Sequence, residues 1–123
     1  MSDLTGTWLS YYEYGQGPDN EPQTSEHRVA FVQGDNNTWT GTSLPNDEGS
    51  ELTITVRQNG NEFQGDWHER SSLAGSYAGR EFGGVILLLL QSEGVNLNGM
   101  WLGASSTTGE VKSGAWTLQR EAE

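Results

Sequence analysis

Residues 84–104 read "GVILLLLQSEGVNLNGMWLGA". Six apolar residues run unbroken from Val85 to Leu90. A polar turn follows, and the chain returns through Gly99-Met100-Trp101. The run is far too short for a membrane-crossing helix, which needs about 20 apolar residues. A short apolar stretch closed by Ser, Glu and Gly instead predicts a buried strand and a hairpin turn. Alternate residues of a strand face opposite sides. One of the sets Val85/Leu87/Leu89 and Ile86/Leu88/Leu90 therefore points outward. An exposed stripe of three aliphatic side chains suggests a partner surface, such as a second barrel in a homodimer.

The same pattern recurs upstream. "VQGDNNTWTG" (Val32–Gly41) and "VRQNGNEFQG" (Val56–Gly65) each read as apolar strand, Gln, tight turn, then an apolar residue two before a Gly. Asn59-Gly60 is a strong hairpin signal, and Asp35-Asn36-Asn37 and Glu93-Gly94 are workable turn sequences. Three hairpins predict strands near 26–33, 38–44, 51–58, 62–69, 84–91 and 95–103. A first strand falls near 4–14 and a last near 111–120. Eight sequential antiparallel strands in an open sheet would leave two bare edges. Closure of the first against the last removes them, so the fold class is all-β, an eight-stranded antiparallel up-and-down β-barrel. Short turns lie at one rim. The longer connections, near 15–25, 44–50, 70–83 and 104–110, lie at the other and mark an open mouth, where functional residues concentrate.

Composition sets the outer limits. A chain of 123 residues is long enough for one domain, 1–123, with a real core. It has no cysteine, hence no disulfide framework and no thiol nucleophile. Its start, "MSDLTGTW", lacks the basic and apolar regions of a signal peptide. These features lead us to expect a soluble, cytoplasmic protein. The formal charge is −11, with a single lysine, Lys112, and arginines scattered at 28, 57, 70, 80 and 120. No nucleic-acid polymer or anionic membrane surface is an expected partner, since both need clustered cations. A small anionic ligand needs only a local pair of arginines.

Gly-x-Trp occurs four times, at Gly6-Thr7-Trp8, Gly65-Asp66-Trp67, Gly99-Met100-Trp101 and Gly114-Ala115-Trp116. Residues two apart share a face, so each Gly sits beside its Trp on the interior, leaving room for an indole from a neighbouring strand. Core packing is the plain role of these indoles. Trp67 and Trp101 lie nearer the mouth than their glycines and are the candidates for a stacking surface. In "GTWLSYYEYG" the face of Trp8 continues through Ser10, Tyr12 and Tyr14. The face of Trp67 continues to Glu69, and that of Trp39 through Gly41 to Ser43. The runs converge on a polar, aromatic-rimmed mouth with Tyr12, Tyr14, Ser43 and Glu69. Arg70, Tyr77 and Arg80 fall in the long connection after the fifth strand and are placed to cover it. These residues, with Trp67 and Trp101, form the expected ligand site.

Catalytic chemistry finds no support. The two histidines, His27 and His68, lie in no zinc-ligand spacing, and a lone strand His is usually structural or at a rim. There is no nucleophile elbow and no phosphate-cradling Gly loop before a helix. The expectation is a binding protein, not an enzyme, with no cofactor and no metal.

The ordered set "LTGTWLSYYEYG", "SEHRVAFVQ", "WTGTSLPNDEGSELTITV", "FQGDWHERSSLAGSYAGREFGGVILLLLQSEGVNLNGMWLG" and "GEVKSGAWTLQR" is spread over nearly the whole chain, about residues 4–120. It resembles the β-barrel domain of the SMODS-associated two-transmembrane β-strand-rich (2TMβ) effectors of bacterial anti-phage signalling (CBASS and relatives). A similar domain follows helix-turn-helix domains in some actinobacterial regulators. The resemblance implies a lipocalin-like barrel that senses a nucleotide second messenger, a cyclic oligonucleotide, for a membrane-disrupting effector. The two transmembrane helices that precede the barrel in those effectors are missing from this sequence. That leaves either a sensor domain or a free-standing barrel that sequesters the messenger. Two other readings stay open: a lipocalin-like carrier or sensor of an apolar metabolite, and an interaction or dimerisation barrel.

Overall fold

A computed structural model describes residues 4–16, 22–45, 51–70, 81–91, 93–104 and 111–121. The strands are β1 (Gly6–Gln16), β2 (Pro22–Gln33), β3 (Thr38–Ser43), β4 (Glu51–Asn59), β5 (Glu62–Arg70), β6 (Glu81–Leu90), β7 (Asn96–Ala104) and β8 (Val111–Arg120). They form one closed antiparallel barrel in sequence order. Closure is made by β1 against β8, from Trp8 opposite Arg120 to Tyr12 opposite Trp116. This is the architecture expected from the hairpin repeats.

The turns explain the short rim. Asn36 (φ 57°) and Asn37 (φ 61°) both take the left-handed conformation, and Thr38 N–H donates to the Asp35 carbonyl at 3.1 Å. That is a type I′ turn, whose twist matches its flanking strands. In the next hairpin Asn59 pairs with Glu62, so the central residues are Gly60-Asn61, one position beyond the expected Asn59-Gly60. Gly60 holds the positive φ, 66°, at no steric cost.

Two boundaries move outward from their expected places. β1 and β2 pair as far as Gln16 opposite Pro22, across an irregularity between Tyr14 and Gln16. The segment 22–25 is polar and carries no alternation to mark it as strand. β6 begins at Glu81, opposite Arg70, ahead of the glycine pair that masked its start.

The interior is filled by alternating side chains, as eight strands allow. Trp8, Trp39, Trp116, Phe31, Phe63, Ile54, Leu88, Leu97 and Leu118 are all essentially buried. In β6, Ile86, Leu88 and Leu90 point inward, while Val85, Leu87 and Leu89 are exposed. Among the described residues no helix is long and apolar enough to cross a membrane.

Candidate functional site

Alternation from the buried tryptophans decides what faces the mouth half of the barrel. On β1 the inward series is Trp8, Ser10, Tyr12. On β5 it is Phe63, Gly65, Trp67, Glu69. On β2 it is Phe31, Val29, His27. Three of these inward residues are polar or charged and buried: Ser10, His27 and Glu69. A carboxylate in such a place is costly without partners. Glu69, 8% exposed, has them. Tyr12 Oη donates a hydrogen bond to Glu69 Oε1. His27 Nε2 stands 3.6 Å from Glu69 Oε2, an ion pair whenever the imidazole is protonated. At that distance neutral His27 makes a polar contact rather than a full hydrogen bond.

An aromatic wall surrounds this polar centre. Tyr12 stacks on Trp116 with ring centroids 4.5 Å apart, and meets Trp67 at 5.9 Å and Trp101 at 6.3 Å. Trp67 lies edge-on to both Trp101 (5.5 Å) and Trp116 (5.6 Å). Offset and edge-to-face pairs of this kind add to the burial energy. Each indole N–H is also engaged. Trp116 donates to Ser10 Oγ at 2.8 Å, Trp101 to the Glu13 carbonyl at 2.5 Å, and Trp67 to the Leu102 carbonyl at 3.4 Å. Deeper down, Trp8 donates to the Leu4 carbonyl and Trp39 to Gln58 Oε1, both at 2.9 Å. The Trp67 bond is the longest of the five.

Glycine makes room for the wall, but not in the way the Gly-x-Trp repeats imply. A Cβ on Gly114 would meet the Glu13 backbone carbonyl first and Trp101 Nε1 at 2.6 Å, so the expected indole lies over that glycine together with a neighbouring backbone. Gly103, outside the repeats, stands beneath both Trp67 and Trp101, each 3.2 Å from where its Cβ would be. At Gly65 and Gly99 the space is taken by a neighbouring backbone carbonyl, of Thr55 and Leu87 respectively. Those two glycines serve the close approach of strands.

Of the nine expected site residues, the barrel brings four together: Tyr12, Trp67, Glu69 and Trp101. Ser43 accepts the Leu52 backbone N–H at 2.9 Å and so joins β3 to β4. Arg70 is the last residue of β5, not part of a covering loop. It alternates away from Glu69 and pairs with Glu51 at 2.9 Å. Its Nε is buried and has no hydrogen-bond partner among the described residues. The Tyr14 side chain, Tyr77 and Arg80 lie outside the described residues.

Four contributors were not expected: His27, Ser10 as the Trp116 acceptor, Trp116 as the stacking partner of Tyr12, and Lys112. Lys112 shares a face with Gly114 and Trp116 and lies exposed at the mouth end of β8. Counting by twos back from Trp116, or from Phe31 to His27, finds both residues in the sequence. A scan of the chain against protein-family models finds no match, nor does a search of curated proteins.

Proposed function

We propose that this barrel binds a small molecule through its mouth, and that the ligand is a cyclic nucleotide second messenger sensed or sequestered in bacterial anti-phage signalling. One observation carries the binding part: a buried carboxylate, Glu69, held by Tyr12 and His27 inside an aromatic wall. Apolar side chains of similar volume would fill a barrel core as well or better. A buried ionisable cluster at the functional end is therefore a mark of a site. The choice of ligand rests on the resemblance to 2TMβ barrels and on chemistry. Glu69 offers acceptors to the N–H donors on a base edge, as carboxylates do for cytosine and guanine. Tyr12, Trp67 and Trp101 offer ring faces, each stacked base contributing about 1–3 kcal/mol. Lys112, exposed at the mouth end of β8, supplies a cationic donor for phosphate oxygens.

Trp67 and Trp101 are almost fully covered, so a ligand must displace one of them. Trp67, on its 3.4 Å bond, is the side chain that moves. Binding then changes tryptophan fluorescence. The protein acts in the cytoplasm, without turnover, and releases its ligand unchanged.

Calorimetry against cyclic di- and trinucleotides tests this reading, with chromatography of the recovered ligand. Binding that weakens about tenfold or more in Glu69→Gln supports it. No heat at about 100 µM, far weaker than a receptor needs, ends it. Conversion of the ligand would replace binding with catalysis. The same aromatic interior also favours a second reading, carriage of an apolar metabolite. Native mass spectrometry of the purified protein checks for a co-purified molecule.

A further inference from the structure

The outer wall of β6 and β7 carries a block of aliphatic side chains that the ligand site does not use. Val85 lies opposite Leu102 and Leu87 opposite Met100, with Leu89 completing the column. Their exposures run from 41% at Leu89 to 55% at Met100. The next outward positions on β8 are Ser113, Ala115 and Thr117, none of them charged. Gln64 and Asp66 of β5 border the other side, with Glu62 beyond Leu89. Elsewhere the wall exposes Glu26, Arg28, Glu51, Arg57 and His68. A lipid-facing barrel needs an apolar belt on every strand; among the described residues the contiguous outward aliphatics lie in the β6–β7 sector, while Tyr11, Val32 and Val111 are exposed on other strands.

We infer that this sector is a self-association surface, and that two copies of the chain pack β6–β7 against β6–β7. Two features select a second copy over a lipid surface or an unlike partner. The chain bears a net charge of −11, and the sector's nearest charges are acidic, which disfavours an anionic membrane. The sector itself offers no charge with which to choose an unlike partner. A flat aliphatic patch is complementary to itself under a two-fold axis. The flanks also choose the axis. A two-fold running across the strands would set the Glu62/Asp66 edge of one copy against the same edge of the other. A two-fold running along the strands sets that acidic edge against the uncharged Ser113–Ala115–Thr117 edge. The second arrangement avoids like-charge contact and brings Leu87 of each copy over Met100 of the other.

The contact is modest, because two convex walls meet over few strands. Five half-exposed side chains make the dry centre of an interface near the lower end of the stable range, about 1,200 Å² in total. Reversible dimers at micromolar to sub-millimolar concentration are the expected result.

Sedimentation equilibrium of the chain from about 10 to 500 µM reads the association. Leu87→Asp and Met100→Asp each weaken it by about a hundredfold, since burial of an unpaired carboxylate opposes the contact. Val32→Asp, on β2 and 63% exposed, leaves it unchanged. Far-UV circular dichroism confirms that each variant is folded. The chain has no cysteine, so cysteine pairing gives a second readout. A mixture of Leu87→Cys and Met100→Cys chains forms the mixed disulfide faster than either chain pairs with itself. A one-chain mass throughout the range overturns the inference, as does an association indifferent to Leu87→Asp and Met100→Asp. A monomer that binds phosphatidylcholine vesicles, and loses that binding in Leu87→Asp, overturns it in favour of lipid.

Discussion

The two halves of the barrel interior are built on the same alternation and filled with different chemistry. At the short-turn end, Trp8, Phe31, Trp39, Phe63, Leu88, Leu97 and Leu118 form an apolar plug. Its two indole N–H groups bond to a nearby carbonyl and an amide. At the mouth end the same inward positions hold Ser10, Tyr12, His27 and Glu69 among three indoles. The plug stabilises mainly by burial. The mouth spends part of that stability on polar groups that hold only while all partners stay in place. The contrast teaches where to look for function: a β-barrel core has no need of a carboxylate, and this one keeps its carboxylate one residue from the end of β5, at the rim opposite the short turns.

The largest effect on this contrast is expected in the plug, at its glycine-hinged wall. A Cβ at Gly99 would collide with the Leu87 carbonyl, which is backbone and cannot step aside. Gly99→Ala must push β7 from β6, and should cost about 5 kcal/mol or more, the range reserved for severe lesions. At Gly41 the obstacles are the Phe31 and Val29 side chains, 2.7 Å from the added Cβ. Those can repack, so Gly41→Ala should cost about 1–3 kcal/mol, as overpacking does. Urea unfolding of both variants ranks them, and equal costs would refute the distinction between backbone and side-chain crowding.

Trp116 joins the two halves. It stacks on Tyr12 and donates to Ser10, yet it is wholly buried. Trp116→Ala should cost about 3–5 kcal/mol, as large aromatic truncations do. Trp116→Phe keeps the ring stack and leaves Ser10 Oγ without its indole donor. It should cost about 1–3 kcal/mol by that loss. If both substitutions cost the same, the ring contributes little and the hydrogen bond decides.

Within the mouth, Tyr12→Phe removes the hydroxyl that faces Glu69. The buried carboxylate then loses a donor, and about 1–3 kcal/mol of stability should go with it. Pairing Tyr12→Phe with Glu69→Leu removes donor and acceptor together and should recover most of the loss. A double-mutant cycle in urea measures the coupling. Additive losses would mean that the two side chains stand close without depending on each other.

Much of this was legible from residue types and spacing. The hairpin turns announced themselves through Asn and Gly, and period-two alternation placed Tyr12, Trp67, Glu69 and Trp101 inside. What stayed hidden has physical causes. The polar segment 22–25 becomes strand by pairing with β1, not by its own pattern. Which inward residues meet across the barrel depends on strand tilt and stagger, which no single strand encodes. So His27 looked like an isolated histidine, although it shares its face with Val29 and Phe31. Trp116 likewise looked like one more core indole until closure of β1 on β8 set it opposite Tyr12. The fate of the glycines was least visible, because the same Gly-x-Trp spacing serves backbone approach alone at Gly99 and both a backbone carbonyl and an indole at Gly114.

The smallest expected effect lies outside both halves, at the seam that closes the barrel. Arg28 of β2 grips Glu121, just past β8, through Nε at 2.8 Å and Nη2 at 2.9 Å. The hydrogen bonds from Arg28 hold the Glu121 carboxyl below its ordinary value, and those to Glu121 raise the Arg28 guanidinium above its own. A lowered carboxylate value means the contribution is present above the unfolded-state value. It is lost as pH falls through the folded-state value. The guanidinium stays charged through all of this range. Both side chains are partly in water, where such pairs contribute little and salt screens them. Glu121→Gln should therefore lower the thermal midpoint slightly at about pH 7 and low salt. The difference from the unsubstituted chain should vanish in acid at about pH 2, where both carry an uncharged side chain at this position. A gap that persists unchanged into acid would show that Glu121 acts through the shape of the chain's exit from β8. Its backbone N–H donates to the Thr7 carbonyl there at 3.0 Å, and no charge is needed for that.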